Sequence, residues 1–193
     1  MISKRQEKFE LILEAALKVI AENGFHGSQV SKIAKEAGIA DGTVYLYFKN
    51  KEDILISLLQ QRLGDLVLMF HSSVRETTSA DDAIRTICQI HFTELEQNVN
   101  LAYVTQIELR QSSLELRKAI GHLLKPYIQL IEEVLEQGIQ EKSFRPDLDI
   151  KLTRLLLFGG MDEVVTSWLI SERKYSLSAQ VDKTVEFFLR GLK

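Results

Sequence analysis

Apolar residues recur along this chain every three or four positions, with polar residues between them. Such spacing gives each of a series of helices one apolar stripe. Phe9, Ile12, Leu13, Ala16, Leu17 and Ile20 form the first stripe, and Asn23-Gly24 ends it. Phe25 then closes a small core. Val30, Ile33, Ala34 and Ala37 form a second, with Ser28 as expected N-cap. Gly38 ends that helix, because Gly enters the left-handed backbone of a tight C-terminal turn without strain. A very short helix is expected from about Gly42 to Phe48, capped by Asp41 and anchored by Val44 and Phe48. Asn50, with Asp53 as a capping-box partner, starts a long helix carrying Ile54, Leu55, Leu58, Leu59, Leu63, Leu66, Val67 and Phe70.

The same period continues to the end. Ser79 caps a helix with Asp81 and Asp82 in its first turn, where negative charge suits the helix dipole. Ala83, Ile84, Ile87, Cys88, Ile90, His91 and Leu95 are its mostly inward-facing positions. Asn98 and Asn100 break the pattern, and Asn100 is expected to cap a short helix through Leu109. Ser112 and Glu115 read as a capping box for the next long helix, in which Pro126 predicts a kink. A loop surrounds Pro146, and two further helices cover about 150–171 and 176–192. Gly159-Gly160 inside the first of them costs about 1 kcal/mol per Gly relative to Ala, which predicts close approach of a helix or a ligand. No strand pattern or repeat interrupts the series. The fold class is all-α, with about nine helices.

Composition narrows the function. The 193 residues are enough for one ordinary domain and a small one, and 45% hydrophobic content is globular. No apolar stretch is long enough for a bilayer, so a soluble, cytoplasmic protein is expected. The single cysteine, Cys88, rules out an internal disulfide and fits a reducing compartment. Net charge is −3, unevenly spread. Residues 1–50 hold seven basic against six acidic side chains, and the remainder 17 against 21. Enzyme readings find little support. The residues three before His26, His71, His91 and His122 are Asn23, Leu68, Cys88 and Ala119, so the Glu-x-x-His pairs of a di-iron bundle are missing. A lone cysteine with scattered histidines argues against zinc, and there is no Gly-rich phosphate loop. No metal or other cofactor is expected.

The chemistry concentrates between Ser28 and Lys51. With Val44 and Phe48 turned inward, Thr43, Tyr45 and Tyr47 occupy the other faces, flanked by Lys49 and Lys51. Hydroxyl donors, flat rings and cations on a short second helix suit a helix-turn-helix that reads double-stranded DNA. The candidate DNA-contacting residues are Ser28, Lys32, Asp41, Gly42, Thr43, Tyr45, Tyr47, Lys49 and Lys51. Tyrosines that merely pack in a three-helix subdomain are the alternative.

The run Ile33-Ala34-Lys35-Glu36-Ala37-Gly38-Ile39, followed by Gly42-Thr43-Val44-Tyr45-Leu46-Tyr47-Phe48-Lys49-Asn50-Lys51, resembles the DNA-binding domain of TetR-family transcriptional regulators. Thr105 to Ser112 and Phe158 to Glu163 resemble a narrower group, the FadR-type regulators of fatty-acid degradation in Bacillus-type bacteria. The resemblance implies a helix-turn-helix domain over 1–50 and a ligand-binding and dimerisation domain over 51–193. It implies a homodimer paired through its last two helices, with Phe158, Met161, Val165, Phe187 and Leu189 as candidate contacts. It also implies a repressor of fatty-acid degradation genes that binds a palindromic operator and is released by long-chain acyl-CoA.

Such a ligand needs an apolar tunnel for its chain and cations for its phosphates. Leu66, Phe70, Ile87, Tyr103, Ile107, Leu124, Phe158 and Trp168 are the tunnel candidates. Arg110, Arg117, Lys118 and Lys125 are the cation candidates, and His91 and Gln106 are polar interruptions of inward faces. Ordinary core packing and internal ion pairing of Arg110 are the competing readings. A drug-sensing repressor and a helical interaction module without DNA binding remain as alternatives.

Overall fold

The computed structural model describes residues 4–111 and 113–193, and every regular element among them is helical. The order is α1 (Lys4–Gly27), α2 (Val30–Glu36), α3 (Asp41–Val44), α4 (Lys51–Arg75), α5 (Ala80–Gln97), α6 (Val99–Glu108), α7 (Leu114–Gln140), α8 (Ile150–Ile170), a 3-10 turn (Ser178–Gln180) and α9 (Val181–Leu192). No helix among the described residues is long and apolar enough to cross a membrane. The chain forms two compact units, Met1–Gly64 with Tyr103–Leu123, and Asp65–Ala102 with Leu124–Lys193.

The first unit is built on the α1 stripe. Ile12, Leu13, Ala16, Ile20, Ile33, Ala34, Val44, Leu55, Leu58 and Leu59 are all essentially inaccessible. Phe9 stacks on Phe48 with ring centroids 5.0 Å apart. Gly24 breaks α1 as expected, with φ 67° and ψ 162°, and Phe25 is buried beyond it. Gly38 takes φ 66°, and Ile39 N–H donates to the Ala34 carbonyl at 3.0 Å, closing α2. Asn50 Oδ1 accepts from Asp53 N–H at 2.8 Å, and Asp53 accepts in return from Lys49 N–H at 2.9 Å.

Three cap expectations need correction. Ser28 does not cap α2. Gln29 holds that position, and the Ser28 hydroxyl turns inward onto the carbonyls of Gly24 and Val19. Asp41 is the first residue of α3, not its cap; Ala40 precedes it in extended backbone without a side-chain cap bond. Asn100 lies inside α6, and Asn98 forms the junction from α5. Ser112 falls outside the described residues; the neighbouring Ser113 Oγ accepts from Leu116 N–H at 3.4 Å. The α-helical part of α3 is also shorter than expected, ending at Val44, with hydrogen-bonded turns carrying the chain on to Phe48.

The second unit packs α5 against α8 and α9. Ala83, Ile84, Ile87, Phe92, Ile131, Leu135, Met161, Val165, Val185 and Phe188 fill it. Ser79 caps α5 as expected, its Oγ accepting from Asp82 N–H at 3.1 Å. α7 runs through Pro126 without ending there. Of the glycine pair, only Gly160 meets a close neighbour. A Cβ there would lie 3.1 Å from the Phe188 ring, whereas one at Gly159 meets nothing within 4 Å.

Candidate functional site: a nucleic-acid head and a buried aromatic cluster

The head presents its chemistry on α3 and the turns after it. Val44 and Phe48 are buried, so the intervening residues face outward. Tyr45 is 57% and Leu46 74% exposed, and Thr43 and Tyr47 are half-buried. Asp41, Gly42 and Lys49 are exposed. Leu46 was not singled out from sequence. It stands two residues from both anchors, about 200° around a helix, which is the signal that would have found it. An exposed leucine beside two tyrosines suits contact with a thymine methyl.

Lys32 and Lys51 are placed differently from each other. Lys32 Nζ is exposed and bonds weakly to Asn23 Oδ1 (3.3 Å) and the Gly27 carbonyl (3.4 Å), so it stays available to phosphate. Lys51 is directed inward. Its Nζ donates to the Phe25 carbonyl at 2.8 Å and lies 4.4 Å from the centre of the Phe25 ring. Ser28 is 1% exposed. Neither Ser28 nor Lys51 therefore presents a donor outward for DNA.

The expected effector residues divide between the units. In the first, Gln106 is buried and Tyr103 half-buried, while Ile107, Arg117 and Lys118 are exposed. Arg110 Nη1 donates to the Gln106 carbonyl at 2.7 Å. Glu108 accepts the Phe25 N–H at 2.7 Å and a bond from the Gln111 side chain.

In the second unit an aromatic cluster surrounds Tyr127. Phe70 stacks on it at 4.5 Å, and Phe158 meets it edge-on at 5.9 Å. The Tyr127 hydroxyl lies 3.3 Å from His91 Nδ1. His91 Nε2 is buried without a hydrogen-bond partner. Ile87 lines a small apolar cavity with Ile84, Cys88, Ile131 and Leu157. Leu66 and Leu124 are half-buried. Trp168 is committed to the end of α8, where its Nε1 donates to the Tyr175 carbonyl at 2.9 Å. Tyr127 was not singled out from sequence; a hydroxyl at helical spacing among Leu123, Leu124, Ile128 and Ile131 is the signal that would have found it.

Burial sets the charge states here. Loss of water around the charged form pulls His91 down from 6.5 to about 4, against the opposing attraction of the Asp162 carboxylate. Burial likewise pushes the Cys88 thiol up to about 12, so it is an inert packing group. His91 is neutral at pH 7. The unfolded chain takes up this proton near pH 6.5, and the folded protein does so only near pH 4. Stability present above pH 6.5 is thus lost as pH falls towards 4, by up to about 3 kcal/mol. The thermal midpoint of His91→Gln should fall less steeply across that window than that of the parent. Parallel curves would place His91 in a solvated setting.

The expected dimer contacts also divide. Met161 and Val165 are buried within the monomer, which corrects their assignment to an intermolecular face. Phe187 is 76% exposed. Leu152, Leu155 and Leu156, not singled out from sequence as contacts, are 53, 55 and 65% exposed on one side of α8.

Comparisons with known proteins agree with this architecture. Residues 12–58 match the family described as bacterial regulatory proteins, tetR family. Residues 59–191 match the YsiA-like protein, C-terminal region. The fatty acid metabolism regulator protein of Bacillus subtilis is 44% identical over 191 residues, spanning 99% of this chain and 98% of that one. The crystal structure of the transcriptional regulator FadR from Bacillus subtilis in complex with stearoyl-CoA superposes with a TM-score of 0.91 at 45% identity, covering 96% of this chain and 100% of that one. The fatty acid degradation regulator FadR from Bacillus halodurans gives 0.90 at 45% identity with the same coverage. The chain belongs to the tetR family of bacterial regulatory proteins, with a C-terminal region of the YsiA-like type.

Proposed function

We propose that this protein is a transcriptional repressor of fatty-acid degradation genes that releases its operator on binding long-chain acyl-CoA. The observation that carries the reading is likeness over nearly the whole chain to a regulator crystallised with stearoyl-CoA. The head supplies Thr43, Tyr45, Leu46, Tyr47, Lys49 and Lys32 to the major groove and its phosphates, with Asp41 and Gly42 opening the reading helix. The effector set is Leu66, Phe70, Ile87, His91, Leu124 and Phe158 around the acyl chain. Arg110, Arg117 and Lys118 supply charge for the CoA phosphates, beside Tyr103, Gln106 and Ile107. Trp168 supports this set through the α8 end.

The protein acts as a homodimer in the cytoplasm and is not an enzyme. Leu152, Leu155, Leu156 and Phe187 are the apolar surface offered to a second copy. Two heads on a two-fold axis read half-sites about 34–36 Å apart, which matches a palindromic operator. Acyl-CoA binds better to the conformation that does not fit this spacing and shifts the population towards it.

A thermal-shift series with long-chain acyl-CoA, the matching fatty acid, CoA and a cationic dye tests the effector. At a hundred times its dissociation constant a ligand stabilises by about 2.7 kcal/mol. A shift with acyl-CoA that neither half reproduces is expected. A shift with the dye alone would make the protein a drug-sensing repressor.

A further inference from the structure

We propose that Glu108 is a positioning residue for operator reading, and that its carboxylate ties the set of the head to α6 through the Phe25 amide. The Phe25 backbone is held at its N–H and at its carbonyl. Glu108 Oε1 accepts its N–H at 2.7 Å, and Lys51 Nζ donates to its carbonyl at 2.8 Å. Residues 83 positions apart in sequence meet in the first of these bonds.

The location matters more than the bond count. Phe25 follows Gly24, whose φ of 67° breaks α1, and it lies just before α2. The Ser28 hydroxyl closes the same break onto the Gly24 carbonyl at 2.7 Å. The angle at which α2 and α3 leave α1 is therefore set over these few residues.

Glu108 is 3% exposed and is the last residue of α6. An amide–carboxylate bond is charge-assisted, roughly twice as strong as a neutral one, and steeply dependent on distance. Withdrawing α6 by about one ångström removes it. The head then loses the tie at the Phe25 N–H, while the Phe25 carbonyl keeps its bonds from Lys51 Nζ and from Ser28 N–H. Tyr103, Gln106 and Ile107, effector-side residues on α6, lie within two turns of this carboxylate on the same helix. That coupling rests on the acyl-CoA reading above; the positioning of the head does not.

The test measures operator affinity with and without stearoyl-CoA for the full-length parent, Glu108→Ala and Glu108→Gln. Glu108→Ala should bind the operator about tenfold or more weakly, with the ratio of the two affinities falling towards one. Its affinity for stearoyl-CoA should stay at the parental value. Glu108→Gln keeps an acceptor oxygen for the Phe25 amide and should recover most of the ratio. A merely structural carboxylate would lower the thermal midpoint and leave the ratio at its parental value, and that result overturns the proposal. Should Glu108→Ala fail to fold, Lys51→Met loosens the carbonyl of the same residue, and a parental ratio there overturns it equally. If the parent itself ignores stearoyl-CoA, the effector reading fails on its own. Hydrogen exchange at the Phe25 amide and effector-free operator affinity then decide the clamp: fast exchange with weak binding in the variant supports it, and unchanged values sink it.

Discussion

Replacing Tyr47 with Ala should abolish operator binding while leaving acyl-CoA binding and the fold intact. Val44 and Phe48 fill the small core, so the tyrosine between them is not needed there. Tyr47 N–H donates to the Val44 carbonyl at 3.0 Å, which fixes the backbone from which the ring projects. A phenol in that position offers a hydroxyl and a flat face to the duplex. One good contact of this kind contributes roughly 1–3 kcal/mol. A dimer carries it twice, so the loss is about 30-fold to 10⁴-fold in affinity. Anisotropy with a labelled operator reads this directly. Loss of both operator and ligand binding in a folded variant would contradict the division of labour between the head and the effector residues.

A second large effect lies far from any ligand. Gly138→Ala should destabilise the second unit by about 1–3 kcal/mol, the range for inserting a carbon into a packed core. Gly138 sits in the last turns of α7, where its carbonyl accepts from both Ser143 and Phe144 N–H at 3.0 Å. That turn folds the buried Phe144 ring onto the glycine. A Cβ at 138 would stand 2.6 Å from Phe144 Cγ and closer still to the ring edge. The ring is not a flexible chain end, so the turn itself must give. A fall in thermal midpoint of several degrees is expected, at about 2–4 °C per kcal/mol for a chain of this size. Gly159→Ala is the control, because a Cβ there meets nothing within 4 Å. Helix propensity favours Ala over Gly by about 1 kcal/mol, so Gly159→Ala should hold or raise the midpoint, and a Gly138→Ala midpoint that does the same would show that the ring imposes no cost.

Much of the fold was legible in the sequence, because helix period and cap chemistry are local. Gly24, Gly38, Asn50 and Ser79 do what their side chains allow at a helix end. What escaped is set by tertiary contact. Ser28 has the chemistry of a cap, but the break at Gly24 turns a carbonyl towards its hydroxyl. Lys51 follows the reading turns in sequence, yet its long stem reaches the Phe25 carbonyl. The α8 faces were misassigned for a different reason. Leu155 to Phe158 is apolar on every side of the helix, so periodicity cannot separate the buried Leu157 and Met161 from the exposed Leu155 and Leu156. The candidate site divides along the same line. The reading surface is contiguous in sequence and visible there, whereas the His91–Tyr127 cluster joins residues 36 positions apart.

Release of DNA by one class of ligand is the central expected behaviour of this protein. The most direct measurement is a titration of the preformed operator complex at fixed salt, followed by anisotropy. Long-chain acyl-CoA, the matching free fatty acid and free CoA are added in parallel. Release by acyl-CoA, with neither half effective at the same concentration, is the predicted result. A complex that withstands saturating acyl-CoA, or that CoA alone dissolves, would contradict the account.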